Sequence, residues 1–197
     1  MKTNRINGMA IFTLALALFT SSFTSSFAQA KYHASKADVI VSGTSSIHDW
    51  DMKSDKGSID ATINVANEKV VLTVLSFSFP SESLKSGHGM MDKNTYKALN
   101  TKKYPNITFV LSSGNVTAQG SNNYQLKGMG KLTIAGNTVV TDMVVNMKYN
   151  PADKSFTCTG VKKFKMTDYG VKPPTAMMGT IKTGDAISIA YTLNIKS

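Results

Sequence analysis

From Asp38 onward, apolar and polar residues alternate with a period of two in segment after segment, and Gly, Asn, Asp and Pro interrupt the runs. That rhythm puts every second side chain on one face, so it predicts antiparallel strands with one face buried. Ile59, Ala61, Ile63 and Val65 alternate with Ser58, Asp60, Thr62 and Asn64, and Ala66-Asn67-Glu68 turns the chain into residues 70–79 to make a hairpin. The pattern returns in Ile107, Phe109 and Leu111, in Tyr124, Leu126, Leu132 and Ile134, and in Val139, Met143, Val145, Met147 and Tyr149. Ala135-Gly136-Asn137 turns between the last two of these. Phe156 and Cys158 then share a face, and Ile187, Ile189, Tyr191, Leu193 and Ile195 finish the chain in strict alternation. With residues 39–52 as the first strand, the count is about eight, a number that closes into a barrel with room for side chains or one small ligand.

One stretch follows the helical period instead. In residues 91–100, Asp92 is placed as N-cap, and Tyr96 and Leu99 recur at helical spacing before Pro105 enforces extended backbone. A short helix between strands, at one end of a barrel, is either a lid over an opening or a plug that fills it.

The N-terminus does not belong to this pattern. Lys2 and Arg5 precede an apolar run over residues 9–19, shorter than the roughly 20 residues of a membrane-spanning helix. The segment ends Ala28-Gln29-Ala30, a small-x-small cleavage site. Residues 1–30 are therefore expected to be a secretory signal peptide, cut after Ala30, and residues 31–197 one domain in the periplasm or outside the cell. Cys158, the sole cysteine, cannot form an internal disulfide and is expected to be a small buried residue. Without Lys2 and Arg5 the chain keeps 20 basic residues against 12 acidic ones, a formal charge of +8. The lysines are scattered and there is no arginine in residues 31–197, which argues against nucleic acid as a partner. A diffuse positive surface suits weak contact with an anionic membrane.

The catalytic vocabulary is thin. His33, His48 and His88 are the only histidines, and their spacing matches no metal motif. Gly128-Met129-Gly130-Lys131 lies inside an alternating run, so its glycines read as relief for barrel curvature rather than as a phosphate loop. Gly43 to His48 has serine and histidine but not the elbow of a serine hydrolase. No enzymatic activity, cofactor or metal is expected. Methionine is more informative, because the pairs Met90-Met91 and Met177-Met178 stand in turn-rich segments where flexible thioethers adapt to a variable ligand. His48 and Trp50 are two apart, which in a strand places them on one face with Met52. The Trp50 N–H, if buried, needs a partner in His48 or a backbone carbonyl.

Four segments resemble one known family. Residues 41–50, VSGTSSIHDW, look like the first-strand signature of the YceI-like polyisoprenoid-binding proteins. Ser83-Leu84-Lys85-Ser86-Gly87, continuing through Met91-Asp92, Tyr96 and Leu99 to residues 104–109, YPNITF, resembles that family's lid and following strand. Residues 126–136 are similar to its G-x-L-T-I-x-G hairpin, and Thr167-Asp168-Tyr169-Gly170 to its D-F-G turn. The resemblance implies a lipocalin-like barrel, exported to the periplasm, whose interior holds an isoprenoid tail such as a quinone or polyprenyl chain. One departure is plain: many relatives carry an Arg-Asp-x-His-Leu-like stretch where this chain has residues 86–92, SGHGMMD, with no arginine.

The expectation is thus an all-β, eight-stranded antiparallel lipocalin-like barrel with a short helical lid, carrying an isoprenoid or other long-chain lipid. The tail is expected among Phe77, Phe79, Phe109, Met143, Met147, Phe156 and Tyr191. Met90, Met91, Met177 and Met178 are expected near the mouth, with His88, Tyr96 and Tyr169 close by. His48 beside Trp50 would take the polar end in place of the missing arginine. The competing reading is a barrel packed solid by its own side chains, acting through its surface as a stress or interaction module. An internal cavity near the roughly 300 Å³ lower end of ligand sites separates the two. The assembly is left open, a homodimer included.

Overall fold

In a computed structural model, residues 29–34, 36–66 and 69–197 are described. The segment expected to be a signal peptide falls almost wholly outside them, as do Asn67 and Glu68 of the expected turn. The strands are β1 (Ala30–Ala34), β2 (Ala37–Ser45), β3 (Asp49–Ser54), β4 (Ser58–Ala66) and β5 (Lys69–Pro80), then helix α1 (Gly89–Leu99). After it come β6 (Asn106–Gly120), β7 (Asn123–Ile134), β8 (Asn137–Asn150), β9 (Ser155–Lys165), β10 (Thr175–Ala176) and β11 (Ile181–Lys196). All pairings are antiparallel. Eight strands close a ring in the order β1, β4, β5, β6, β7, β8, β9 and β11, and the ring shuts where His33 of β1 meets Lys196 of β11.

The expected single first strand is instead a hairpin. β2 pairs with β11, and β3 folds back on β2 with Gly43 opposite Trp50. The reversal is local chemistry. The Ser45 hydroxyl accepts the N–H groups of Ile47 and His48 at 3.4 and 3.2 Å and donates to the His48 carbonyl at 2.7 Å, which spends this serine on a turn. His48 therefore lies at the tip of a hairpin and not within a strand.

Inward positions follow the alternation closely. Tyr124, Leu126, Leu132 and Ile134 of β7 are buried, as are Val145 and Met147 of β8 and Leu193 and Ile195 of β11. Gly130 answers to packing as well as curvature, because a Cβ there would strike the Phe109 ring of the neighbouring strand. At the end of the barrel formed by the β8–β9 turn, Phe156 is fully buried between Tyr32, 5.4 Å away, and Tyr149, 4.8 Å away. These three rings seal that end.

Two seams of the wall are open. β8 and β9 are paired only between Asn146–Asn150 and Ser155–Thr159, and β5 and β6 only between Ser76–Pro80 and Asn106–Val110. Across the first gap Lys162 donates to Asp142 at 2.7 Å, and the Tyr191 hydroxyl reaches the Val144 carbonyl at 3.5 Å.

Phe156→Ala leaves a cavity that the surrounding strands cannot collapse into, so it is expected to cost about 3–5 kcal/mol. Urea unfolding checks this: the midpoint should fall with the slope unchanged, and a loss under about 1 kcal/mol would deny the aromatic plug its role.

Candidate functional site

At the end opposite the aromatic plug the barrel holds a cavity of about 440 Å³, walled by α1, the β2–β3 hairpin, the 3₁₀ turn Met166–Tyr169 and the segment leading into β11. Helix α1 turns Met91, Asn94, Thr95 and Ala98 toward it, positions three or four apart and so on one helical face. Val41, Met52, Phe164, Ile187 and Ile189 supply apolar wall. Phe164 is held edge-on to the buried Tyr169 ring at 4.9 Å, and Tyr169 is itself pinned where Asn137 donates to its carbonyl at 2.8 Å.

The helix is tied down by Tyr96 on its other face and by Thr95 on the cavity face. The Tyr96 hydroxyl accepts from Lys85 Nζ at 2.6 Å and lies 2.9 and 2.8 Å from the Glu82 and Leu84 carbonyls. Thr95 Oγ1 donates to Met52 Sδ at 3.3 Å, joining lid to β3. Asp92 is not the N-cap expected of it; His88 occupies that position, and the Asp92 carboxylate reaches back to accept from the Ser86 N–H at 2.8 Å and its hydroxyl at 2.7 Å. Burial pushes the Asp92 carboxyl up. The two Ser86 hydrogen bonds and the Lys85 ammonium outweigh that and hold it below the usual carboxylate range.

His48 and His88 both line the mouth and are exposed. His48 Nδ1 donates to the Asp49 carbonyl at 2.7 Å, which in the neutral ring leaves Nε2 as an acceptor. Trp50 lines the cavity too, and its N–H donates to the Thr44 carbonyl at 2.9 Å, the backbone alternative of the two expected. Its indole lies on Gly43, where any Cβ would collide with the ring.

Around the opening stand the four most exposed large apolar side chains among the described residues. Ile47 is 62 %, Met90 70 % and Met177 73 % exposed, and Met178 is fully exposed. Met177 and Met178 form the tip of the β10–β11 hairpin, both with left-handed backbone. That tip is braced to the Ile47 turn, where the Ser46 N–H donates to the Lys182 carbonyl at 2.9 Å and the Lys182 N–H to Ser46 Oγ at 3.2 Å. The mouth segments 46–49, 85–97 and 172–182 carry Lys85, Lys93, Lys97, Lys172 and Lys182 against Asp49 and Asp92 alone.

The expected site residues divide. His48, Trp50, Phe79, His88, Met90, Met91, Tyr169 and Met177 line the 440 Å³ cavity. Phe77, Phe109, Met143, Met147 and Tyr191 line a second, smaller apolar space of about 100 Å³ deeper in the barrel, to which Phe79 also belongs. Three lie in neither: Phe156 is consumed by the plug, Tyr96 by the anchoring of the helix, and Met178 points to solvent beside the mouth. Phe164, Met52, Thr95, Ala98, Ile187 and Ile189 were missed as lining residues. Phe164 shares its parity with Phe156 and Cys158, and Thr95 and Ala98 share the face of Met91, so those periods carried the signal.

The model of the YceI-like domain matches residues 20–195 of the chain. Among solved structures, BcnA of Burkholderia cenocepacia aligns with a TM-score of 0.63 at 21% identity, over 82% of this chain and 96% of that one. A polyisoprenoid binding domain from Saccharophagus degradans, implicated in plant cell wall breakdown, aligns with a TM-score of 0.64 at 12% identity, over 86% of this chain and 99% of that one. The Campylobacter jejuni YCEI protein aligns with a TM-score of 0.51 at 18% identity, over 96% and 99%. At such identities the likeness is one of fold. No curated protein matches the chain.

Because the Asp92 carboxyl is depressed in the folded protein, it stabilises the lid at pH above its unfolded value of about 3.9, and that contribution is lost as pH falls through the folded value. Amide exchange at Ser86 is expected to accelerate below about pH 4, and Asp92→Asn to abolish the step. An exchange rate at Ser86 that follows only the intrinsic pH dependence would refute the link.

Proposed function

The chain belongs to the YceI-like family, and we propose that it is an exported carrier that holds a long apolar ligand, an isoprenoid or similar lipid tail, without transforming it. The observation that carries this reading is the apolar cavity of about 440 Å³, well above the roughly 300 Å³ lower end of ligand sites. A barrel packed solid by its own side chains would leave no such space. Each CH₂ of a buried tail is worth about 0.8 kcal/mol of transfer from water, so enclosure is the physical requirement for moving such a molecule through an aqueous compartment. The relative from Saccharophagus degradans, a polyisoprenoid binding domain, supports the choice of ligand class. The basic, apolar and small-x-small parts of residues 1–30 support export.

The polar end of the ligand is assigned to the mouth, where His48 stands exposed beside Trp50 and takes the place of the arginine that the family resemblance leads one to expect near His88. Loading is assigned to an anionic bilayer surface. Apolar groups at a membrane interface bury in the acyl boundary while neighbouring lysines, at about 1 kcal/mol each near the surface, meet anionic head groups. Ile47, Met90, Met177 and Met178, flanked by five lysines, match that pattern.

Protein expressed with its export segment and purified without detergent is expected to yield an isoprenoid or other long-chain lipid on solvent extraction. A lipid-free extract, together with no change in Trp50 emission on adding a ubiquinone, would overturn the carrier reading. His48→Ala is expected to weaken quinone binding several-fold with the melting temperature nearly unchanged. The opposite outcome, lost stability with affinity intact, would make His48 a structural residue only.

Met178 touches no cavity wall, so Met178→Asp is expected to leave binding of cyclodextrin-delivered quinone intact while slowing its uptake from phosphatidylglycerol vesicles at least five-fold. Equal uptake rates would remove the membrane from the proposal. Slowed uptake accompanied by a change in solution mass would assign the rim to a second copy of the chain.

A further inference from the structure

The lid cavity stops short of the aromatic plug. Phe79, Ile107 and Ile189 line both it and the 100 Å³ space behind, so they form the constriction between two chambers. Phe79 and Ile107 are direct cross-strand partners in β5 and β6, and Ile189 of β11 lines the same two spaces. β11 serves as a ruler along the axis: Ile187 lines the lid cavity, Ile189 the constriction, and Tyr191, Leu193 and Ile195 the far chamber. Inward side chains recur on a strand about every 6.6 Å.

The far chamber is too small for a ligand of its own, which needs roughly 300 Å³ or more. An unfilled apolar space of this kind is also a standing cost to stability. Its walls, however, are built to yield. It lies beside the stretch of β8 and β9 that shares no ladder, where Met143, Val144, Val161 and Lys162 face it across the open seam. Leu72 and Leu75 of β5 line it beyond the last β5–β6 pair at Ser76 and Val110. Across the β8–β9 stretch no backbone ladder has to break for the strands to part, only the exposed Lys162–Asp142 contact and the long Tyr191–Val144 hydrogen bond. Met143 and Met147 add side chains that adapt their shape.

We propose that Phe79, at the constriction, is the residue that decides at what chain length a tail passes from the lid cavity into the far chamber. The proposal rests on the carrier reading above. A short tail ends against Phe79. A longer one must displace that ring, after which it gains the apolar surface between Ile189 and the aromatic plug.

The test is affinity for a series of all-trans prenols, from farnesol through geranylgeraniol to longer members, delivered from cyclodextrin and read by the emission of Trp50, the only tryptophan. The unaltered protein should gain affinity with each unit up to a break, beyond which further units add little. Phe79→Ala should move the break to longer chains and raise the ratio of long-chain to farnesol affinity about ten-fold. Ala61→Leu fills the far chamber from β4, and should lower the same ratio about ten-fold. This second variant keeps the proposal open to refutation if the first does not fold. Should the unaltered protein bind prenols with a length profile that neither substitution shifts, the role given to Phe79 is wrong and the carrier reading stands. Should no prenol of any length bind, the carrier reading itself fails.

Discussion

A sheet closed on itself encloses a fixed interior, and the side chains pointing inward must either fill it or leave it empty. Everything particular to this barrel follows from how unevenly they do so. At one end Tyr32, Tyr149 and Phe156 interlock and exclude any space. In the middle Phe79, Ile107 and Ile189 narrow the interior without closing it. At the other end the rings of Trp50, Phe79 and Phe164 line the wall, and the interior opens into a cavity of about 440 Å³.

That open end would be unstable if left to water, and elements outside the ring cover it. β2 continues the sheet alongside β11 with Ala37, Val39 and Val41 in the core, and the free edge of β3 meets the segment before α1 where Lys53 and Lys85 exchange backbone hydrogen bonds of 2.8 and 2.9 Å. Helix α1 then spans the opening with its small and flexible residues inward and Tyr96 anchored behind it. The cover is thus held mainly by polar contacts at its back and presents a mostly apolar surface, Met91 and Ala98 with Asn94 and Thr95, to the cavity. This division lets a lid be firmly placed while making few demands on the shape of what lies beneath it.

Much of this was legible in the alternation. The inward faces of β7, β8 and β11 are those that the period of two marks, and the turn at Ala135 and Gly136 adopts the positive φ angles of 49° and 80° that a tight hairpin requires. The helix was visible from Tyr96 and Leu99, although its cap was not: a carboxylate at Asp92 serves a helix start and a preceding loop equally well, and only the position of Ser86 decides between them. The same limit applied to residues 39–52. Their β-rich composition reads as one strand, and the reversal at Ser45 to His48 depends on side-chain hydrogen bonds that have no period.

By itself the sequence determined which residues face inward, because a strand's side chains alternate by backbone geometry alone and no neighbour is needed to impose it. It determined the apolar character of the interior for the same reason. Only the tertiary structure decided which inward residues meet. Phe156 and Phe79 have the same parity signal and the same chemistry, yet one is sealed in a plug and the other stands between two chambers. The difference lies in how far along the axis each falls once the strands are staggered and the ring is closed, and that distance is set by registers between segments remote in the chain.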